Sequence, residues 1–151
     1  MRFRLLTSAL ILITVFVSQS SFHTDIRPSV VEDVLSQTNK FRRSRGLPVL
    51  IINPELNAIA RRHSMNMAGG RVGFGHSGFS KRYQLARRSV RGVNRFAENV
   101  AFGAATGSEA VKGWRNSPGH RRNMLGQYKY IGIGVAKDRR GRLYYTQVFA
   151  G

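Results

Sequence analysis

Trp114-Arg-Asn-Ser-Pro-Gly-His-Arg-Arg-Asn-Met-Leu125 is the stretch on which the fold turns. An apolar helix face ends at Trp114, Ser117-Pro118 interrupts the chain, and a short helical turn restarts and runs out near Leu125. Proline suits the first turn of a helix, because the N–H it lacks would have no partner there. Upstream, Thr106 and Glu109 form a capping box that starts the helix through Val111 and Trp114. Downstream the period changes from helical to two. Ile131, Ile133 and Val135 alternate, Asp138 to Gly141 make a turn, and Leu143 to Phe149 return as the second strand of a hairpin.

Toward the N-terminus the pattern is helical. Ser29 and Glu32 form a capping box ahead of Val31, Val34, Leu35, Thr38 and Phe41, which share one face. Arg42, Arg43 and Arg45 crowd the end of this helix, where cations suit the dipole, and Gly46 stands where a left-handed residue would stop it. A second helix opens with Asn53 as N-cap and Pro54 in its first turn. It carries Leu56, Ile59, Ala60, His63 and Met67 on one side and ends at Gly69-Gly70. Residues 71–95 are rich in Gly and Arg and read as a long loop with a short helix near 80–88; Phe96 to Phe102 reads as a short strand. Helices, a polar loop, further helix and a terminal hairpin predict an α+β domain in which helices cover a small antiparallel sheet.

The chain has 151 residues, 25 Lys+Arg against 7 Asp+Glu, and no cysteine. The length suits one domain. Without thiols, disulfides, thiol catalysis and thiolate metal sites are all excluded, and packing must hold the fold. Residues 1–20 read as an export signal: Arg2 and Arg4 precede the apolar Leu5 to Val17, and Ser18 and Ser20 offer a cleavage site. That apolar run of about 13 residues is short for a bilayer span. An uncleaved anchor is the alternative. Residues 21–28 form a polar leader, the domain proper is 29–151, and the expected location is secreted or periplasmic. A formal charge of +18 predicts a soluble monomer that attracts anions from a distance.

Four segments, taken in order, resemble the CAP superfamily (cysteine-rich secretory, antigen 5, pathogenesis-related) in a bacterial form without disulfides. They are Asn39-Lys-Phe-Arg-Arg-Ser-Arg-Gly-Leu-Pro with Asn53-Pro-Glu-Leu; Ala60-Arg-Arg-His-Ser-Met-Asn-Met-Ala; Gly75-His-Ser with Ala97-Glu-Asn-Val-Ala; and Trp114 to Leu125 followed by Tyr145-Thr-Gln. The resemblance covers about residues 29–150 and implies an α-β-α sandwich. It also implies a cleft in which, in many members, two His and two Glu can coordinate a divalent cation. Carried over, the first His matches His76 and the first Glu matches Glu98. The second Glu falls on Ser117 and the second His on Tyr144, so half of that tetrad is replaced. His120, from the Ser-Pro-Gly-His-Arg motif, resembles a further imidazole of bacterial members.

Imidazole and carboxylate are good zinc ligands, and His76, Glu98 and His120 would supply three from separate segments. An open position on such an ion would allow hydrolysis. The alternative is a buried hydrogen-bonded network of the same side chains. His63, on the apolar stripe of its helix, is expected to be a satisfied core residue or to line the cleft. Trp114 is expected to anchor the core, and Asn99 to hold local backbone. No Gly-x-Ser-x-Gly elbow supports a serine hydrolase, and seven acids, several assigned to caps, leave a glycosidase pair poorly supplied. The leading expectation is a non-enzymatic module that binds a ligand or partner. Anionic lipid, another envelope polyanion or a second protein fit the charge, and nucleic acid lacks a recognisable motif. The competing expectation is a metal-dependent hydrolase.

Overall fold

A computed structural model describes residues 29–151; the expected signal and leader lie outside the described residues. The elements are α1 (Val30–Arg43), β1 (Ile51–Ile52), α2 (Pro54–Ala68), α3 (Phe79–Ser89), β2 (Phe96–Phe102), α4 (Gly107–Asn116), α5 (Pro118–Met124), β3 (Tyr130–Lys137) and β4 (Leu143–Ala150). The sheet order is β1-β3-β4-β2. β4 pairs antiparallel with both β2 and β3, as the hairpin reading requires. The sheet is nevertheless mixed. β1 adds a two-residue parallel edge beside Tyr130 and Ile131, too short to leave a period in the sequence. Among the described residues no helix is long and apolar enough to cross a membrane.

Alternation along the strands divides the core. Ile131, Ile133, Tyr145 and Phe149 join Val34, Phe41, Val111, Trp114 and Met124 on the face covered by α1, α4 and α5. Val148 and Ala150 face α2 and α3, where Leu56, Ile59, Ala60 and Ala86 are buried. Gly132 and Gly134 bring α2 close to the sheet. A Cβ on Gly132 would overlap the backbone of Leu56, and one on Gly134 would overlap the Ala60–Arg61 peptide.

The helix ends follow the local rules. Ser29 and Glu32 form the reciprocal box, and Asn53 Oδ1 accepts from Leu56 N at 3.0 Å. Gly46, at φ 69°, closes α1 with Leu47 N donating to Arg42 O. At α4 the expected box is offset. Thr106 caps Glu109 N, but the Glu109 carboxylate accepts from Ala105 N rather than from the cap residue.

Arg42 departs from the solvated, dipole-complementing residue its cluster suggested. It is 1 % exposed and donates to Pro48 O, Met124 O and Gly126 O, tying α1 to the loops after α1 and α5. β2 is an edge strand, yet its outer carbonyls are covered. Trp114 Nε1 donates to Val100 O and Asn123 Nδ2 donates to Glu98 O, which blocks the pairing that an open edge invites.

Gly134→Ala is expected to destabilise the protein by about 1–3 kcal/mol or more, as overpacking does. Gly113→Ala on α4, where nothing lies within 4 Å, is expected to be neutral or to stabilise by up to about 1 kcal/mol. Urea unfolding midpoints of the two variants check this pair.

Candidate functional site

Glu98 lies at the third position of β2 with a side chain 0 % exposed. A carboxylate so placed needs opposite charge and hydrogen-bond donors, since burial alone penalises its ionised form. Arg82 of α3 supplies both through a fork: Nε to Oε2 at 2.6 Å and Nη2 to Oε1 at 2.7 Å. The same guanidinium donates from Nη1 to Ser77 O, and so fastens the loop that leads into α3.

His76 completes the carboxylate's partners, with Nδ1 2.9 Å from Glu98 Oε1. A carboxylate accepts, so Nδ1 carries the proton and Nε2 is left facing outward on a ring 48 % exposed. His63 of α2 is buried, its Nε2 donating to Gly75 O at 2.8 Å and lying 3.9 Å from Glu98 Oε1. Burial pushes the His63 imidazole below its ordinary pKa, with Arg82 and His76 adding to it; the Gly75 hydrogen bond and Glu98 pull the other way. Neutral His63 is therefore both a satisfied core residue and a wall of the site.

The remaining expected residues stand apart from this network. Ser117 and His120, partly buried at either end of the first turn of α5, line a groove of about 380 Å³ with Phe74, Val100, Phe102 and Trp114. Burial lowers the His120 pKa, and the charge of His76 lowers it further, so the two imidazoles sense each other. Tyr144 stacks on Phe102 with centroids 5.7 Å apart, and Phe74 meets Phe102 edge-on at 4.8 Å. Where the family's second Glu and second His are expected, this chain presents a small hydroxyl and an aromatic ring. The groove is correspondingly aromatic.

A divalent ion would need several of these donors at once. Among the described residues no group of three or more His, Cys, Asp and Glu side chains is arranged to hold a metal ion, and both oxygens of Glu98 are engaged by Arg82. Asn99, expected to hold local backbone, sits within β2 and links layers: Nδ2 reaches His120 O and Gln147 Oε1, while Oδ1 accepts from Asn123. Trp114 is a buried anchor, as expected. Arg82 is the functional residue that sequence reasoning missed. Its place beside Ala86 on the buried face of α3 emerges only from the packed structure, because nothing local sets it apart from the other guanidinium groups of this segment.

The family model for the cysteine-rich secretory protein family (CAP) matches residues 35–149. This chain belongs to the CAP family. Two Bacillus subtilis relatives agree: the uncharacterized membrane protein YlbC is 36% identical over 82% of the chain and 35% of its own length, and the uncharacterized protein YkwD is 32% identical over 78% and 46%. The chain thus spans less than half the length of the curated relatives it matches. An extracellular protein with an SCP domain from Bacillus anthracis superposes with a TM-score of 0.69, at 29% identity over 80% of this chain and 40% of that one. An outer surface protein of Borrelia burgdorferi, at 20% identity and TM-score 0.70 over 80% and 91%, shares the CAP fold.

Arg82→Leu, which strands the Glu98 carboxylate, is expected to cost about 3–5 kcal/mol. Arg82→Leu combined with Glu98→Leu is expected to recover most of that loss, because the uncompensated charge is gone. A double-mutant cycle by chemical denaturation measures the coupling; additive losses would show that the pair does not act as a unit.

Proposed function

We propose that the protein is an extracytoplasmic, non-enzymatic CAP module whose arginine-rich surface takes an anionic envelope partner and whose His/Glu cleft is braced rather than reactive. The supporting observation is where its carboxylates are used. Glu32 closes the cap of α1, and Asp33 accepts from Ser108 N and Gln37. Glu98 holds Arg82, Glu109 accepts from Ala105 N, and Asp138 organises the hairpin turn with Arg140 and Arg142. Ion pairs to Lys or Arg among the described residues accordingly engage Arg82 and Arg142 alone.

Arg61-Arg62, Arg87-Arg88, Arg121-Arg122 and Arg139-Arg140 are all exposed, and none of their guanidinium groups forms an ion pair with a described carboxylate. Like charges so spread repel one another and raise the local concentration of anions, at short range and in a salt-dependent way. Lipid phosphate and envelope polyanions offer the planar or tetrahedral oxygens that guanidinium forks match. The extracytoplasmic location draws on the export-signal reading and on relatives described as extracellular and outer-surface proteins. The purified protein is expected to bind vesicles containing phosphatidylglycerol, or lipopolysaccharide, at low ionic strength and to weaken at least tenfold at physiological salt. Absence of binding to both at low salt overturns this reading.

One observation favours a second reading. His76 Nε2 faces outward within electrostatic reach of His120, an arrangement that a metal-dependent hydrolase using His76, Glu98 and His120 would need. Zinc titrations of the protein and of a His76→Ala, His120→Ala variant are expected to superimpose. Micromolar binding confined to the unmodified protein, with chelator-sensitive turnover of peptide or ester substrates, would replace the braced-cleft reading.

A further inference from the structure

Between α2 and α3 lies a separate cavity of about 330 Å³, which shares no lining residue with the aromatic groove. Its apolar wall is Ile59, Val72 and Leu85, with Ile59 buried and the other two partly so. Its polar wall is Arg62 and Asn66 from α2 with Ser77 and Lys81 from the start of α3 and the loop before it. None of those four polar side chains makes a hydrogen bond or ion pair to another described residue, although all four residues line the same space. By contrast, Arg82 and His63, which also border the cavity, are already engaged by Glu98 and Gly75. Among the described residues no carboxylate lines it.

We infer that this cavity is a binding site for a small amphipathic anion, with a compact oxyanion head on Arg62 and Lys81 and an apolar body against Ile59, Val72 and Leu85. Pockets for small ligands combine a mostly apolar lining with a few convergent polar groups, and this one does so with two uncompensated cations. Arg62 offers a fork to a carboxylate or phosphate, Lys81 a mobile point charge, and Asn66 and Ser77 neutral donors to the remaining lone pairs. The volume suits a small ligand. At about 30 Å³ per water, 330 Å³ corresponds to roughly ten or eleven water-sized groups, hence a head with a chain of about six to eight carbons. This is a saturable site for one small molecule. It does not depend on the surface reading above, which requires many cations acting together.

The probes are octanoate and hexyl phosphate, which differ in the head, with acetate lacking the body and octyl glucoside lacking the charge. Calorimetric titration of the purified protein at low ionic strength is expected to give one-to-one binding of at least one of the two amphipathic anions. Acetate and octyl glucoside are expected to bind at least tenfold more weakly. Arg62→Ala with Lys81→Ala, both at exposed positions outside the core, should reduce that affinity at least tenfold, whereas Arg139→Ala with Arg140→Ala, which removes equal charge at the hairpin turn, should leave it within twofold. The tighter of the two probes identifies the head. Failure of both anions to bind, or equal losses in the two double variants, overturns the site; the second result would assign the binding to overall charge. A circular dichroism spectrum of each variant confirms that the comparison is between folded proteins.

Discussion

The constraint on which the structure depends is a carboxylate with no exposed surface, placed on an edge strand. Left alone, Glu98 would have to lose its charge or break the strand from the sheet. Arg82 answers with two parallel hydrogen bonds and His76 with a third. Each answer has a structural consequence. Arg82 can reach Glu98 only if α3 lies across β2, and its other donor then fixes Ser77 O. His76 can reach it only if the glycine-rich loop folds back over the strand, where His63 of α2 receives the Gly75 carbonyl. One buried charge therefore orders a loop, two helices and a strand that hydrophobic contact alone would leave loosely related. The bidentate pairing matters here, because a lysine in place of Arg82 would satisfy one direction and leave the loop carbonyl without its donor.

The same logic runs through the other polar residues that mark the family. A three-layer sandwich has a registration problem: apolar faces slide over one another at little cost, whereas hydrogen bonds do not. On the α2 side, Ser64 Oγ bonds Thr146 Oγ1 and Gly134 O, and Asn57 Oδ1 accepts from Ile133 N. On the α1 side, Gln147 reaches Thr38 of α1, and Asn99 joins Gln147 to Asn123 of α5. Adjacent residues of β4 thus bind opposite layers, Thr146 to α2 and Gln147 to α1. Every buried side-chain nitrogen and oxygen among the described residues has a partner. Such networks specify position when complete and are costly when partly broken.

Much of this was legible in the sequence, and the divisions are physical. Caps and periods are local, so Ser29, Asn53, Thr106 and the strand Phe96–Phe102 could be read from their neighbours alone. The pairing of His76 with Glu98 came through the resemblance, since the intervening loop carries no period that would bring them together. Arg82 was invisible for a different reason: it is one guanidinium among many, and nothing local distinguishes a buried fork from a solvated one. Arg42 was hidden in the same way, inside a cluster whose other members are exposed. β1 escaped because two residues cannot establish an alternation, and its parallel partner lies far along the chain.

The electrostatics of the interior and of the surface follow from one choice of composition. With so few acids, Glu32, Asp33, Glu98, Glu109 and Asp138 are committed to caps, to a turn or to the Glu98 brace, and ion pairs to Arg among the described residues reach only Arg82 and Arg142. A surface of this kind repels copies of itself, and it also stores repulsion in the folded state. Holding such a surface together therefore falls to the interior, where the two glycines of β3 let α2 pack against backbone and the polar ties fix the layers in place. The brace and the basic surface are complementary in this sense. A metal in the cleft would add positive charge to a molecule that already carries an excess, whereas an arginine drawn inward to Glu98 removes one cation from the surface and neutralises the buried carboxylate.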